Sequence, residues 1–248
     1  MTYGFFTTVF SQPLYNGLIF LITLLPSADA GIAIIIFTIV VRLVLYPLSK
    51  KSIETQVKLR GAEGEIERIK KQFKDKAQQA AKIMQFYREK GLNPLSGFVL
   101  IIVQIPIIFA LYHIFLKSGL PTIDPNLLYS FISVKAEALT INMQFLGLLD
   151  ISEKSYLLAL ICAVTQYFQA HLLMPKPKPR QANESFKDNL SRSMSLQMRY
   201  FFPVFVFFIV YNLSGTIALY WITTNIFSIA QEWYVRRKFV VSDAPTQQ

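Results

Sequence analysis

Apolar residues gather in this chain into long runs separated by basic or polar stretches, the pattern of membrane-crossing helices and the loops between them. Five spans are predicted. The first, 31–48, reads GIAIIIFTIVVRLVLYPL and closes at Pro47. The second, 94–116, carries Pro106, whose missing N–H should kink the helix and leave a carbonyl for a neighbour to satisfy. The third is 156–174. The fourth and fifth, 200–213 and 215–234, come from one apolar stretch that at about 1.5 Å per residue is too long for a single crossing. Leu213, Ser214 and Gly215 supply the break. The expected fold is all-α, a polytopic membrane protein of five transmembrane helices.

An earlier apolar stretch, Phe5 to Leu25, is interrupted by Ser11, Gln12, Pro13, Asn16 and Gly17. It is expected to form an interfacial helix within an extracytoplasmic N-terminus, 1–29. Pro13 suits a first helical turn, and Leu14, Leu18, Leu21 and Leu25 recur on one face. A sixth span over the same residues is the alternative.

Between the first two spans, 49–91 is long, charged and periodic. Ile53, Val57, Ile66, Ile69 and Phe73 precede Asp75, and Ile83, Met84 and Tyr87 follow it, so a cytoplasmic helical hairpin with a thin apolar seam is predicted. Its tip falls near Lys74 to Ala77, and Gly61 and Gly64 should weaken or bend the first arm. Gly91 with Asn93 and Pro94 ends the second arm. A solvated arm with no partner is the competing interpretation, although the segment is long for a connector. The 117–155 loop carries Leu127, Leu128, Tyr129, Phe131 and Ile132, which can dip into the interface, and it contains no recognisable active site. The 175–199 segment is polar and proline-punctuated, as expected of a linker, and 235–248 forms a tail.

Charge sets the orientation. Twelve Lys and Arg lie between Lys50 and Lys90, three between Lys117 and Lys154, six between Lys176 and Arg199, none in the fourth-to-fifth turn and three in the tail. Basic segments alternate with basic-poor ones, which places the N-terminus outside and the C-terminus in the cytoplasm. The same alternation accounts for the net charge of +10. These cations face anionic lipid head groups rather than a specific nucleic acid.

Composition agrees: 53% hydrophobic and 16% charged residues are too apolar a mixture for an ordinary soluble domain. The single cysteine, Cys162, excludes a disulfide or a cysteine metal cluster within one chain and suits a small buried apolar position. No Lys or Arg occurs in the first thirty residues, which argues against a conventional signal peptide.

Against this apolar background Arg42 stands inside the first span. A charge at the centre of a spanning helix costs roughly 2.5–3.5 kcal/mol on insertion scales. Snorkelling over the six residues to the span's end, aided by bilayer thinning, is one explanation. The functional one is a polar cavity between helices, with Thr38 a turn before Arg42 on the same face. Other spans offer polar lining: Gln104, then Gln166 and Gln169, then Thr224, Asn225 and Ser228. Each alone is ordinary helix-packing glue. Together they make a wet groove, because Gln166 and Gln169 share a face and Trp221, Asn225, Ser228 and Glu232 fall at i, i+4, i+7 and i+11. Asp29 and Glu232 sit near span ends, which leaves Arg42 available to a visiting carboxylate and argues against a proton relay. His113 and His171 lie in different spans without metal spacing, and no GxSxG occurs, so neither an enzyme, a metal site nor a cofactor is expected.

Four stretches carry a family resemblance: VVRLVLYPLSKKS (40–52), FYREKGLNPLSG (86–97), VQIPIIFALY (103–112) and LSGTIALYWITTNIFSIAQEW (213–233). In order, spacing and topology the chain resembles the YidC family of membrane protein insertases. The resemblance implies residence in a bacterial plasma (inner) membrane. It also implies a five-span core whose groove opens to cytoplasm and lipid but not to the outside. The family's groove arginine falls on Arg42 and its groove aromatic on Trp221. Nascent membrane proteins are the implied substrates, their polar or acidic parts recruited by Arg42 and their apolar segments released into the bilayer. The hairpin, through Lys70, Lys71, Phe73, Lys74 and Lys76, is the implied recruitment surface for the ribosome, the signal recognition particle receptor or the Sec translocon. Absence of a large extracytoplasmic domain, a lipoprotein cysteine, a transit sequence and an extended basic tail suggests a minimal member or a trimmed chain, and Gly64 stands near a position where many members carry proline. An assembly platform without insertion activity, or a small-solute transporter or channel, are the alternatives.

Overall fold

The computed structural model of the protein describes residues 4–73, 75–93, 96–116, 120–132, 139–173 and 192–242. Most of the predicted 175–199 linker, parts of the 117–155 loop, the end of the tail, and Lys74 and Pro94 lie outside them. The chain is mostly helical, and it divides into two compact units, Met1–Val44 with Ile105–Ile229, and Leu45–Gln104 with Ala230–Gln248.

The first unit begins with a π-helical turn, Thr7–Ser11, that runs into α1 (Gln12–Leu24), with Pro13 in its first turn as the sequence suggested. Tyr15, Leu18, Ile19 and Ile22 are fully buried, a line beside the predicted leucine stripe; Leu14, Leu21 and Leu25 are only half-buried. The face turns this way because α1 packs on α2 (Ala30–Val44). Gly17 allows it: a Cβ there would stand 3.1 Å from the Phe37 ring. Asn16, also buried, donates to the Leu127 carbonyl at 2.7 Å and accepts from the Tyr129 amide at 2.7 Å. The Tyr15 hydroxyl accepts from the Asp124 amide at 2.8 Å. Of the polar interruptions in the N-terminal stretch, Asn16 thus ties α1 to the 124–129 segment, together with Tyr15.

Two short strands, β1 (Gln144–Phe145) and β2 (Leu149–Asp150), form an antiparallel hairpin, which Asp29 clasps. One carboxylate oxygen accepts from the Ile32 amide at 3.0 Å, capping α2, and the other from the Leu146 amide at 2.9 Å. A Cβ on Gly31 would run into the Phe145 ring. On its far side the hairpin meets the start of α9 (Gly215–Ser242): the Gly215 amide donates to Glu153 at 2.8 Å and the Thr216 amide to Ile151 at 3.0 Å. Ile151 is fully buried, and a Cβ on Gly215 would fall 2.9 Å from its Cα. The hairpin therefore covers the starts of α2 and α9 together.

The remaining helices of this unit are the later part of α6 (Ser96–Leu116), α7 (Tyr156–Leu173) and α8 (Phe202–Tyr211), with α7 and α8 closely packed. Large apolar side chains cover their outer faces: Ile105, Phe109 and Tyr112 on α6, Leu157, Ile161, Val164 and Phe168 on α7, Val204, Phe205 and Phe208 on α8. Exposed apolar surface of this extent marks faces that meet lipid or a partner rather than water. The run Arg192–Tyr211, 20 residues with a mean hydropathy of 1.5, is long and apolar enough to cross a membrane. At about 1.5 Å per residue, α6 and α9 also have the length.

In the second unit Leu45 interrupts the predicted first span, and α3 (Tyr46–Gly61) starts afresh with Pro47 in its first turn. Proline cannot donate to the Leu43 carbonyl, so the helix of residues 30–44 cannot run on undisturbed. A further break falls at Ala62, between Gly61 and Gly64, before α4 (Glu63–Gln72). α4 packs on α5 (Lys76–Glu89). Gln79 holds their turn, donating to the Lys70 carbonyl at 2.9 Å and also to the Phe73 carbonyl, while Asp75 caps α5. α5 ends with Gly91 at φ +61°; the Leu92 amide reaches the Tyr87 carbonyl at 2.8 Å and the Gly91 amide the Arg88 carbonyl at 3.1 Å.

Asp29→Ala removes the α2 cap and leaves the Leu146 amide unpaired, so thermal unfolding in detergent should show a loss of about 1–3 kcal/mol. Asp29→Asn keeps one accepting oxygen and so one of the two bonds, and should lose about half of that. A loss near zero in Asp29→Ala would mean that these two hydrogen bonds do not hold the hairpin to α2.

Candidate functional site

Arg42 lies in the last turn of α2, where the free carbonyls and the negative end of the helix dipole favour a cation. It is half-buried, and among the described residues no Asp or Glu pairs with it. Tyr220, on α9, lies within electrostatic reach. Thr38 is buried at 1% exposure, and its hydroxyl donates to the Ile34 carbonyl of its own helix at 2.6 Å. It shares a helix face with Arg42 while its hydroxyl is already engaged.

Within the same unit, α7 and α9 are joined through polar side chains. The Trp221 indole donates to the Gln166 side-chain oxygen at 2.9 Å, and the Asn225 amide to the Thr165 hydroxyl at 3.1 Å. The two bridges stand one helical turn apart on α9 but spring from consecutive residues, Thr165 and Gln166, on α7. Thr224 and Asn225 are buried, yet among the described residues the Thr224 hydroxyl and the Asn225 carbonyl oxygen have no hydrogen-bond partner. Ser228 turns its hydroxyl back to the Thr224 carbonyl at 2.8 Å, and Gln169 is half-buried. Two unmet acceptors and one cation without a carboxylate thus stand in a single unit. A low-dielectric interior penalises such groups unless something visits them.

Gln104 falls in the second unit and is half-buried. Of the predicted hairpin residues, Lys70, Lys71 and Lys76 are exposed and Phe73 is half-buried, while Lys74 lies outside the described residues. The fifth-span stripe ends differently from its beginning. Glu232, 1% exposed, forms an ion pair with Arg236 four residues on, with Arg60 of α3 in electrostatic reach. Its neighbour Gln231 donates to Ser49 at 2.6 Å, and Ser52 donates to the Ser96 carbonyl at 2.8 Å. Sequence reasoning passed over Thr165, Ser49 and Ser52, since short hydroxyl side chains are common in helices. In the sequence Glu232 figures only as the end of a polar stripe near a span end, although its i, i+4 spacing from Arg236 is there to signal the pair.

Residues 22–242 match the family described as 60Kd inner membrane protein. The chain belongs to this family, the YidC family. Among similar proteins, the membrane protein insertase YidC of Stutzerimonas stutzeri is 31% identical over 217 residues, 87% of this chain and 34% of that protein. That of Methylobacillus flagellatus is 32% identical over 208 residues, 84% of this chain and 32% of its own length. That of Francisella tularensis subsp. novicida is 28% identical over 210 residues, covering 84% and 33%. The chain thus spans about a third of the length of the YidC relatives it matches. All four resembling stretches lie inside the matched region.

Trp221→Phe should unpair the Gln166 oxygen, and adding Gln166→Leu should recover part of the lost stability. A double-mutant cycle by thermal unfolding in detergent should return a coupling of about 0.5–1.5 kcal/mol. Strict additivity would mean that the bridge does not hold α7 to α9.

Proposed function

We propose that this chain carries the working core of a membrane protein insertase. In this function Arg42 receives polar or acidic parts of an incoming chain, and the bilayer receives its apolar segment. The observation that carries this reading is Arg42 itself, a cation at the end of an apolar helix with no carboxylate among the described residues to neutralise it. In a low-dielectric setting a visiting carboxylate forms a shorter and stronger contact with a guanidinium than it could in water. The Trp221–Gln166 and Asn225–Thr165 bridges and the unmet acceptors beside them support a hydrated groove wall on α7 and α9. The hairpin clasped by Asp29 supports an end that stays shut. Family membership supports the activity, because the similar proteins are membrane protein insertases by name.

On this reading the five apolar helical segments are five spans, with the N-terminus outside and the C-terminus in the cytoplasm of a bacterial inner membrane. The α4–α5 pair is a cytoplasmic arm whose locked turn presents Lys70, Lys71 and Lys76. Ribosomes, the signal recognition particle receptor or the translocation channel are the partners it would recruit. Core insertion of a short substrate needs none of them, and neither nucleotide nor metal.

The test is reconstitution in liposomes with a small single-span substrate bearing an acidic translocated end. Arg42→Ala should slow insertion by about tenfold or more, which corresponds to about 1.4 kcal/mol of a charge-assisted contact. Arg42→Glu should be worse for that substrate, and Arg42→Lys should keep partial activity, since the charge survives but the planar fork does not. Wild-type rates in both Arg42→Ala and Arg42→Glu would remove Arg42 from the recruiting role. Small-solute flux without protein insertion would favour a channel instead.

A further inference from the structure

We propose that the end of α9 is a docking site for anionic phospholipid head groups, formed by Trp233, Tyr234, Arg237 and Lys238. It rests on the membrane placement of α9 and is independent of any role for Arg42.

Four residues past the ring in each case, a cation lies over an aromatic face. The Arg237 guanidinium is 5.4 Å from the centre of Trp233, and the Lys238 ammonium is 5.9 Å from the centre of Tyr234. Both rings are exposed, Trp233 at 61% and Tyr234 at 52%. A ring face under a cation restrains its rotamers while leaving its outward donors open, so less freedom is lost when an anion arrives. Arg236, between them in sequence, behaves differently: it is paired with the buried Glu232, and its charge is met inside the protein. Among the described residues no carboxylate pairs with Arg237 or Lys238. Three consecutive basic residues therefore divide into one internal partner and two outward charges.

The occupant follows from chemistry and depth. Upstream, α9 is the apolar fifth span of the sequence. Exposed Trp and Tyr at the end of such a span sit at head-group level, and four residues of helix advance about 6 Å further, toward the phosphates. A lipid meets both demands at once, covering the rings with acyl and glycerol surface and neutralising the cations with its phosphate. An RNA could pair its phosphates with the cations and stack bases on the rings, but to do so it would have to reach rings that lie at head-group level beside an apolar span, where lipid is already the neighbour.

The full chain, reconstituted in nanodiscs containing equal phosphatidylcholine and phosphatidylglycerol, is released and its retained lipids are counted by native mass spectrometry. Wild type should retain phosphatidylglycerol preferentially. Arg237→Gln with Lys238→Gln should reduce that preference by about fivefold per cation removed. Trp233→Ala with Tyr234→Ala, which keeps both charges, should also reduce it. Removing two charges of the α4–α5 arm, which lack an aromatic platform, by Lys82→Gln with Lys90→Gln, should reduce it by much less. Unchanged enrichment in the Arg237/Lys238 variant overturns the proposal, as does an equal loss in the Lys82/Lys90 control. If the Arg237/Lys238 variant keeps its lipids but stops co-sedimenting with ribosomes, the site docks RNA instead.

Discussion

A polar group in hydrocarbon must be matched by the protein or kept where something else can match it, and the first unit is arranged around that demand. Its largest instance is Arg42. The guanidinium occupies the final turn of α2 because Pro47, five residues on, withholds the donor that the Leu43 carbonyl would need. Helix end and charge reinforce one another, since the carbonyls released by the break are the negative pole that a cation prefers. The apolar helix therefore tolerates an arginine because it stops there.

The two ends of this unit treat polarity in opposite ways. Around Asp29, both carboxylate oxygens are satisfied, Gly31 and Gly215 let Phe145 and Ile151 approach, and Ile151 is fully buried. Farther along α9, Thr224 and Asn225 retain acceptors that no group among the described residues answers. A satisfied network rigidifies, and a partly satisfied one waits for a ligand or water. The second unit meets part of its polar burden with discrete locks, Gln79 across the α4–α5 turn, Gln231 to Ser49 and Glu232 to Arg236, while the Ser96 hydroxyl and the second Glu232 carboxylate oxygen stay without a hydrogen bond among the described residues.

Much of this was legible in the sequence. Long apolar runs, Arg42 among them and the polar positions at helical spacing on the third and fifth spans are one-dimensional signals, and so is Gly91 at the end of α5. Trp221 and Gln166 were both candidate lining residues, yet nothing in their spacing says that they bond to each other across helices. Asp29 looked like a charge near a span end; its second role depends on Leu146, which no periodicity connects to it. The leucine stripe of α1 pointed about one residue away from the buried face, because the position of Phe37 against Gly17, a tertiary fact, sets the helix's roll. Leu45 as the site of the break, two residues before Pro47, likewise depends on which carbonyl loses its donor.

The Asp29 clasp also bears on the order in which the chain can be completed. Asp29 and Leu146 are separated by 117 residues, and Asn16 and Leu127 by 111. Contacts of such high sequence separation carry a large loop-closure entropy and form late. During synthesis α1 and α2 must therefore exist for more than a hundred residues before their clasping segments emerge, with Asn16 still lacking its Leu127 and Tyr129 partners and the Asp29 carboxylate half-used. The nascent chain of this protein passes through a stage as incompletely packed as any membrane protein's.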